Sequence, residues 1–146
     1  MEINLKKLEE LRDVRSRQEE LKRIEADLAR PVMTDVSEIG GIYERFQRLT
    51  DGMDQWNRYS KRRMFIFIVV WLYSPASIVS ERLVPGVRSE LTKVLQLKSR
   101  TIVSNEMHNL LFVYSTYSQF RADTNRVFRQ LMEEMGLDAP GTGDEK

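Results

Sequence analysis

The chain has 146 residues, 41% hydrophobic and 31% charged, with a formal net charge of +1, a size that suits one domain or a small domain with an appended helix. It has no cysteine and one histidine, His108, which excludes disulfides, thiolate zinc sites, iron–sulfur clusters, cysteine nucleophiles and multi-histidine metal centres. Seven scattered glycines build no phosphate cradle, so the chain reads as non-enzymatic, with no catalytic residue, no metal ligand and no cofactor.

The first thirty residues read as one long amphipathic helix of coiled-coil type, a unit spanning 1–30. Val14, Leu21 and Leu28 recur every seven residues, Leu11 and Ile24 support them, and Leu5 and Leu8 extend the stripe. Eight bases balance eight acids here, and Glu2/Lys6, Asp13/Arg17 and Glu19/Arg23 each place an acid four residues before a base. Arg17 and Gln18 interrupt the apolar seam. So charged a helix needs a partner helix, either its own core or another copy. The seam favours self-association, a homo-oligomer joined through Leu11, Val14, Leu21, Ile24 and Leu28. The N-terminus runs straight into charged residues, so no secretory signal is expected and a cytoplasmic location follows.

Pro31 ends the first helix, because the residue before proline is pushed out of the α region. Residues 31–52 then form a connector and a short helix from Ile42 to about Thr50, which Asp51-Gly52 breaks. A helical domain over 53–136 follows. Its most apolar run, Met64 to Leu72, is too short to cross a bilayer as a helix, so no membrane is implied. A buried core helix from near Met53 or Asp54 to near Tyr73 is the better reading. The β-branched Ile66, Ile68, Val69 and Val70 would also suit a central strand, but nothing nearby resembles a sheet partner.

Ser74-Pro75 has the form of an N-cap with proline at the first helical position, starting a short helix through about Leu83. Pro85-Gly86 makes a turn, and a helix over Val87 to Leu97 buries Val87, Leu91, Val94 and Leu95. Ser99 caps the next helix, which runs from Arg100 into Leu110, Leu111 and Phe112. Thr116 and Gln119 fit a capping box for a last helix, which otherwise continues unbroken from Arg100. That helix buries Phe120, Val127, Phe128, Leu131 and Met135, and Gly136 ends it. Residues 137–146 read as a disordered acidic tail. The aromatic residues of this half, Trp56, Tyr59, Phe65, Phe67 and Trp71, and Tyr114, Tyr117 and Phe120, are expected to pack in the core. Glu133 and Glu134 support neither a metal site nor acid/base work. The fold class is all-α.

Charge is uneven along the chain. Residues 58–129 carry twelve bases against four acids, whereas 31–57 and 130–146 are acidic. A basic middle between acidic flanks suits a polyanionic partner. Within it lies ELTKVLQLKSRTIVSNEMHNL, Glu90 to Leu110, with Leu91 and Leu95 inward on a first helix, Leu97 in the turn, Ser99 as cap, and Val103, Met107 and Leu110 inward on a second. With Leu111 also inward, the opposite face carries Arg100, Thr101, Ser104, Asn105 and His108, donor-rich side chains of the lengths that reach base edges. Lys98 and Ser99, with Arg62 and Arg63 upstream, complete a set suited to phosphates.

This segment, about 87–111, resembles the helix-turn-helix family of phage and mobile-element proteins. The resemblance implies duplex DNA as partner, with the second helix entering the major groove. It covers about twenty of the 146 residues. Three positions depart from the family pattern: the turn Gln96 to Lys98 is about one residue long for the tight form, Gln96 stands where glycine is usual, and Thr92 and Val94 replace a small alanine. The layout of parts also resembles small terminase subunits, although those usually place the DNA-binding module first. The rival reading is a structural or adaptor protein of a phage or similar assembly, built for contacts with phage or mobile-element proteins.

Overall fold

The computed structural model describes residues 1–80 and 82–137, and among them it is all-helical. The chain divides into two compact units, Met1–Arg30 and the rest.

The first unit is one helix, α1 (Leu5–Leu28), started by Asn4, whose side chain accepts the Lys7 N–H. None of its residues is buried. The apolar residues do not form one straight stripe. Spacing by three steps back about 60° per pair on a helix of 3.6 residues per turn, so Leu5, Leu8, Leu11 and Val14 wind half-way round the cylinder. Only Leu11, Val14, Leu21, Ile24 and Leu28 share a face, and Leu5 and Leu8 leave it.

The second unit is built around α3 (Arg58–Tyr73). From Met64 to Tyr73 every side chain is buried except the half-buried Trp71, as an all-apolar helix requires. The strand alternative is set aside. The helix begins at Arg58 rather than near Met53, because Asn57 caps it by accepting the Ser60 N–H at 2.8 Å.

The segment before α3 is tied to its far end. The N–H groups of Val32 and Met33 donate to the Leu72 carbonyl at 2.9 and 3.0 Å, and the Tyr73 hydroxyl donates to the Asp35 carbonyl at 2.8 Å. Asp35 opens a single 3-10 turn, Val36–Glu38, which leads directly into α2 (Ile39–Thr50). This helix starts three residues earlier than the glycine pair suggests, since Ile39 is fully buried and its burial outweighs the weak helix propensity of Gly40 and Gly41. Ile42 and Phe46 continue the buried row, and the Tyr43, Phe46 and Phe65 rings meet at 4.8 and 5.2 Å.

Around α3 pack α2, α4 (Ser77–Ser80), α5 (Val87–Val94), α6 (Thr101–Met107) and α8 (Ser118–Met135), with α7 (Leu110–Thr116) lying against α4 and α8. The short α4 stops well before Leu83. Ser74 does not cap it in the expected way, because its hydroxyl accepts the Val84 N–H instead. The last helix is separate rather than continuous from Arg100. It starts without a side-chain cap, since Gln119 reaches forward to the Asp123 carboxylate at 3.1 Å and the Thr116–Gln119 box is not formed. Phe120, Val127 and Leu131 are buried, with Phe128 and Met135 half-buried.

Asp123, 1% exposed, also accepts the Trp56 Nε1–H at 2.8 Å and pairs with Arg126 at 3.1 Å, so its charge is met from three sides. At the far end Glu134 binds Arg48 of α2 at 2.8 Å, a structural role for that carboxylate. Gly136, at φ 68°, closes α8, and the Leu137 N–H returns to the Met132 carbonyl. The rest of the expected tail, 138–146, lies outside the described residues. Among the described residues no helix is long and apolar enough to cross a membrane.

Candidate nucleic-acid interface

The two-helix unit α5–α6 begins at Gly86, whose φ of 91° turns the chain into α5. Val87 and Leu91 anchor α5 to the core, while Val94, Leu95 and Leu97 are half-buried. The helix stops at Val94, three residues before the expected Leu97, through a left-handed turn. Gln96 adopts φ 55°, its N–H donates to the Lys93 carbonyl, and the Leu97 N–H donates to the Thr92 carbonyl at 2.9 Å. These paired bonds are a Schellman closure, normally made by glycine. A side chain in this conformation costs about 1 kcal/mol. Gln96 itself thus adopts the left-handed conformation that glycine usually supplies at such a closure.

The connection from Leu95 to Arg100 is longer than the tight turn. α6 starts at Thr101, and no side chain caps it, so Ser99 does not serve as the N-cap. Val103 and Met107 point inward, 0% and 3% exposed. The third inward residue of α6 is an acid: Glu106, 8% exposed. It faces α3, where Arg63 Nε lies 3.3 Å and Arg62 Nε 3.6 Å from its two oxygens. These two arginines, expected as phosphate contacts, are therefore half-buried and engaged with Glu106. Sequence reasoning missed this acid as a structural partner, because 43 residues separate it from Arg63 and no local pattern links them.

The other expected residues fall together. Lys98, Ser99, Arg100, Thr101, Asn105 and His108 are exposed on and just before α6, and Ser104 is half-buried with its hydroxyl donating to the Arg100 carbonyl at 3.4 Å. Lys93, which sequence reasoning left out, is exposed near the end of α5. No acid occurs between Leu91 and Asn105, and the next one, Glu106, is turned inward and neutralised. The outer surface is thus a stretch of donors and cations.

α6 ends at Met107, and the chain turns through His108 and Asn109 before α7 resumes at Leu110. The break rotates the apolar row. Leu110 and Val113 remain buried, but Leu111, expected inward, is 47% exposed beside Phe112. Two of the expected core aromatics are also outward. Tyr117 meets Phe112 edge-on at 6.2 Å, and the Arg58 and Arg62 guanidiniums each lie over the Tyr59 ring, 5.1 Å from its centre. The hydrogen bond from Arg58, with the charges of Arg58 and Arg62, holds the Tyr59 hydroxyl below the usual phenol range. Among the described residues no group of acids and histidine is placed to hold a metal ion. No protein-family model, no curated protein and no solved structure matches this chain.

Proposed function

We propose that the chain is a non-enzymatic binding protein that docks on double-stranded DNA through α5 and α6, working beside DNA in the cytoplasm. One observation carries this reading: Lys93, Lys98, Arg100, Thr101 and Asn105 form an exposed, acid-free run across the turn and α6, while the one acid of α6 is buried against two arginines. Arg100 and Asn105 are the side-chain types that pair with guanine and adenine edges, and Lys93 and Lys98 suit phosphates. The mechanism is docking without chemistry.

The test is binding of the full chain to generic duplex DNA over a salt series. Affinity should fall steeply with salt, and Lys93→Ala with Lys98→Ala should flatten the slope by about one unit per lost phosphate contact. Arg100→Ala with Asn105→Ala should cost about 1–3 kcal/mol per lost base contact. No binding at low salt, or unchanged binding by both double variants, would overturn the reading.

A second reading, docking on a protein partner, has its own observation. Leu111, Phe112 and Tyr117 are 47–59% exposed on and beside α7, next to α4 with Val79 at 72%. Exposed neighbouring apolar residues of this kind mark contact surfaces. Phe112→Ser should then weaken assembly with a partner and leave the salt slope on DNA unchanged.

A further inference from the structure

The first turns of α3 gather more positive charge than the chain neutralises. Arg58, Lys61, Arg62 and Arg63 lie there, and no acid occurs from Gln55 to Ser80. Among the described residues Glu106 of α6 is the one acid ion-paired with these four bases, and Arg62 and Arg63 share it. Within that set Arg58 and Lys61 have no ion pair, although Asp54 stands four residues before Arg58. Arg62 is incompletely met as well. Its Nε is buried 3.6 Å from the Glu106 carboxylate and makes no hydrogen bond.

These cations are ordered rather than dispersed. Arg58 and Arg62 stand four residues apart on one helix, a spacing at which like charges repel. Both guanidiniums nevertheless lie over the exposed Tyr59 ring, and Arg58 also donates to the Tyr59 hydroxyl at 3.1 Å. The negative face of the ring attracts each cation and keeps the two together at the surface. Lys61, three residues from Arg58, shares their side of the helix. Two planar guanidiniums and an ammonium, with one shared carboxylate among them, suit phosphate oxygens, which a guanidinium binds through paired N–H groups. Glu106 also fixes where this cluster lies, because its neighbour Asn105 is on the outer face of α6. We propose that Arg58, Lys61 and Arg62, gathered around Tyr59, hold backbone phosphates of duplex DNA. The proposal rests on the DNA reading above and adds a foothold on a different helix, one that grips the backbone without reading bases.

The test uses the full chain on generic duplex DNA over a salt series, with variants that leave the Glu106 pairs intact. Arg58→Gln with Lys61→Gln should lower affinity by about tenfold or more at low salt and flatten the salt slope by about two units. The loss should be the same on duplexes of any sequence, as expected of phosphate contacts. Tyr59→Ala keeps every cation but removes the ring that gathers them. It should weaken binding about two- to fivefold with the slope unchanged, whereas Tyr59→Phe, which keeps the ring, should bind close to the wild type. Circular dichroism of each variant confirms that the helices remain.

Unchanged affinity and slope in the Arg58→Gln, Lys61→Gln protein would overturn the proposal and leave the α5–α6 reading standing. Weakened binding in that protein, beside wild-type binding in both double variants of α5–α6, would support the α3 site and overturn α5–α6 instead. No binding of the wild type at low salt would overturn both. Inorganic phosphate, matched in ionic strength to sodium chloride, should displace the DNA no better than the chloride does. Selective displacement by phosphate that disappears in the Arg58→Gln, Lys61→Gln protein would assign the site to a free phosphate and overturn the backbone contact.

Discussion

Two of the three longest helices among the described residues, α1 and α3, reach the same secondary structure by opposite routes. α1 has seven bases and seven acids in 24 residues and buries nothing, whereas α3 confines its four charges to its first six residues and buries nine of its last ten. Backbone hydrogen bonding is the same in both. The difference lies in where the stabilising free energy comes from. α3 gains about 1.5–3 kcal/mol for each large apolar side chain removed from water, and it gains this within one chain. α1 has a cap at Asn4 and helix-favouring residues, but helices in proteins owe most of their stability to packing of an apolar face. Within its own unit its apolar residues have no such packing. A helical pattern therefore predicts helix equally well in the two regions, and only the distribution of charge around the helix tells which one is core.

Truncation inside α3 is the largest expected effect. Phe65 is fully buried and touches both Tyr43 and Phe46. Phe65→Ala should lower unfolding free energy by about 3–5 kcal/mol in urea denaturation, from lost burial and the remaining cavity. A loss below about 1 kcal/mol would mean that α3 is not the centre of the domain, and the contrast with α1 would collapse.

The next effect concerns the charged end of α3. Glu106→Gln removes the carboxylate that meets Arg62 and Arg63, whose side chains are 23% and 34% exposed. Because both arginines are partly hydrated, the cost should be about 1–2 kcal/mol rather than the larger penalty of a fully buried pair. The freed arginines should also raise affinity for generic duplex DNA and steepen its salt dependence. If stability is unchanged, the pair does not hold α6 against α3.

Tyr73, at the other end of α3, should contribute less. Burial first, then the nearby charges of Glu38, Asp35 and Glu90, push its hydroxyl above the usual phenol range. The folded state thus keeps a proton that the unfolded chain releases near pH 10. Stability from this group is intact below that pH and declines as pH rises beyond it, because the unfolded state then binds fewer protons. Tyr73→Phe removes the hydrogen bond to the Asp35 carbonyl, should cost about 1 kcal/mol at neutral pH, and should flatten the loss of stability in alkali. An unaltered alkaline profile in the variant would place the titration elsewhere.

What could be read in advance follows the range of the forces involved. Apolar patterning located α3, α5 and α8 because it records burial directly, it located α1 as a helix although none of its residues is buried, and Gly136 marked the end of α8 through its own backbone freedom. Boundaries shifted where one buried residue or one side chain outweighed a local rule: Ile39 drew the glycine pair into α2, and Asn57 delayed α3. At the candidate interface the outward Lys98 and Arg100 were legible, since they lie on one short segment, whereas Lys93 one helix earlier was missed. The inward Glu106 was not, because its partners are on another helix. The outward turn of Leu111 was also hidden, since it depends on the break at His108 and Asn109, where no proline or glycine announces a stop.

The smallest expected effect on the domain is the most direct test of the contrast between α1 and α3. Leu21 is 64% exposed, so Leu21→Ala should change the unfolding midpoint of the dilute protein by less than about 0.5 kcal/mol, the usual range for a surface position. The comparison with Phe65→Ala is then between two truncations of large apolar side chains on two helices. If α1 pairs with a second copy, mass action adds stability, so at high protein concentration the wild type should gain what the variant cannot. A wild-type midpoint that rises with concentration, beside a Leu21→Ala midpoint that does not, locates the second source of stability on α1. If both midpoints stay flat while Leu21→Ala costs as much as a core truncation, α1 draws its stability from within its own chain. The two helices would then differ in sequence but not in kind.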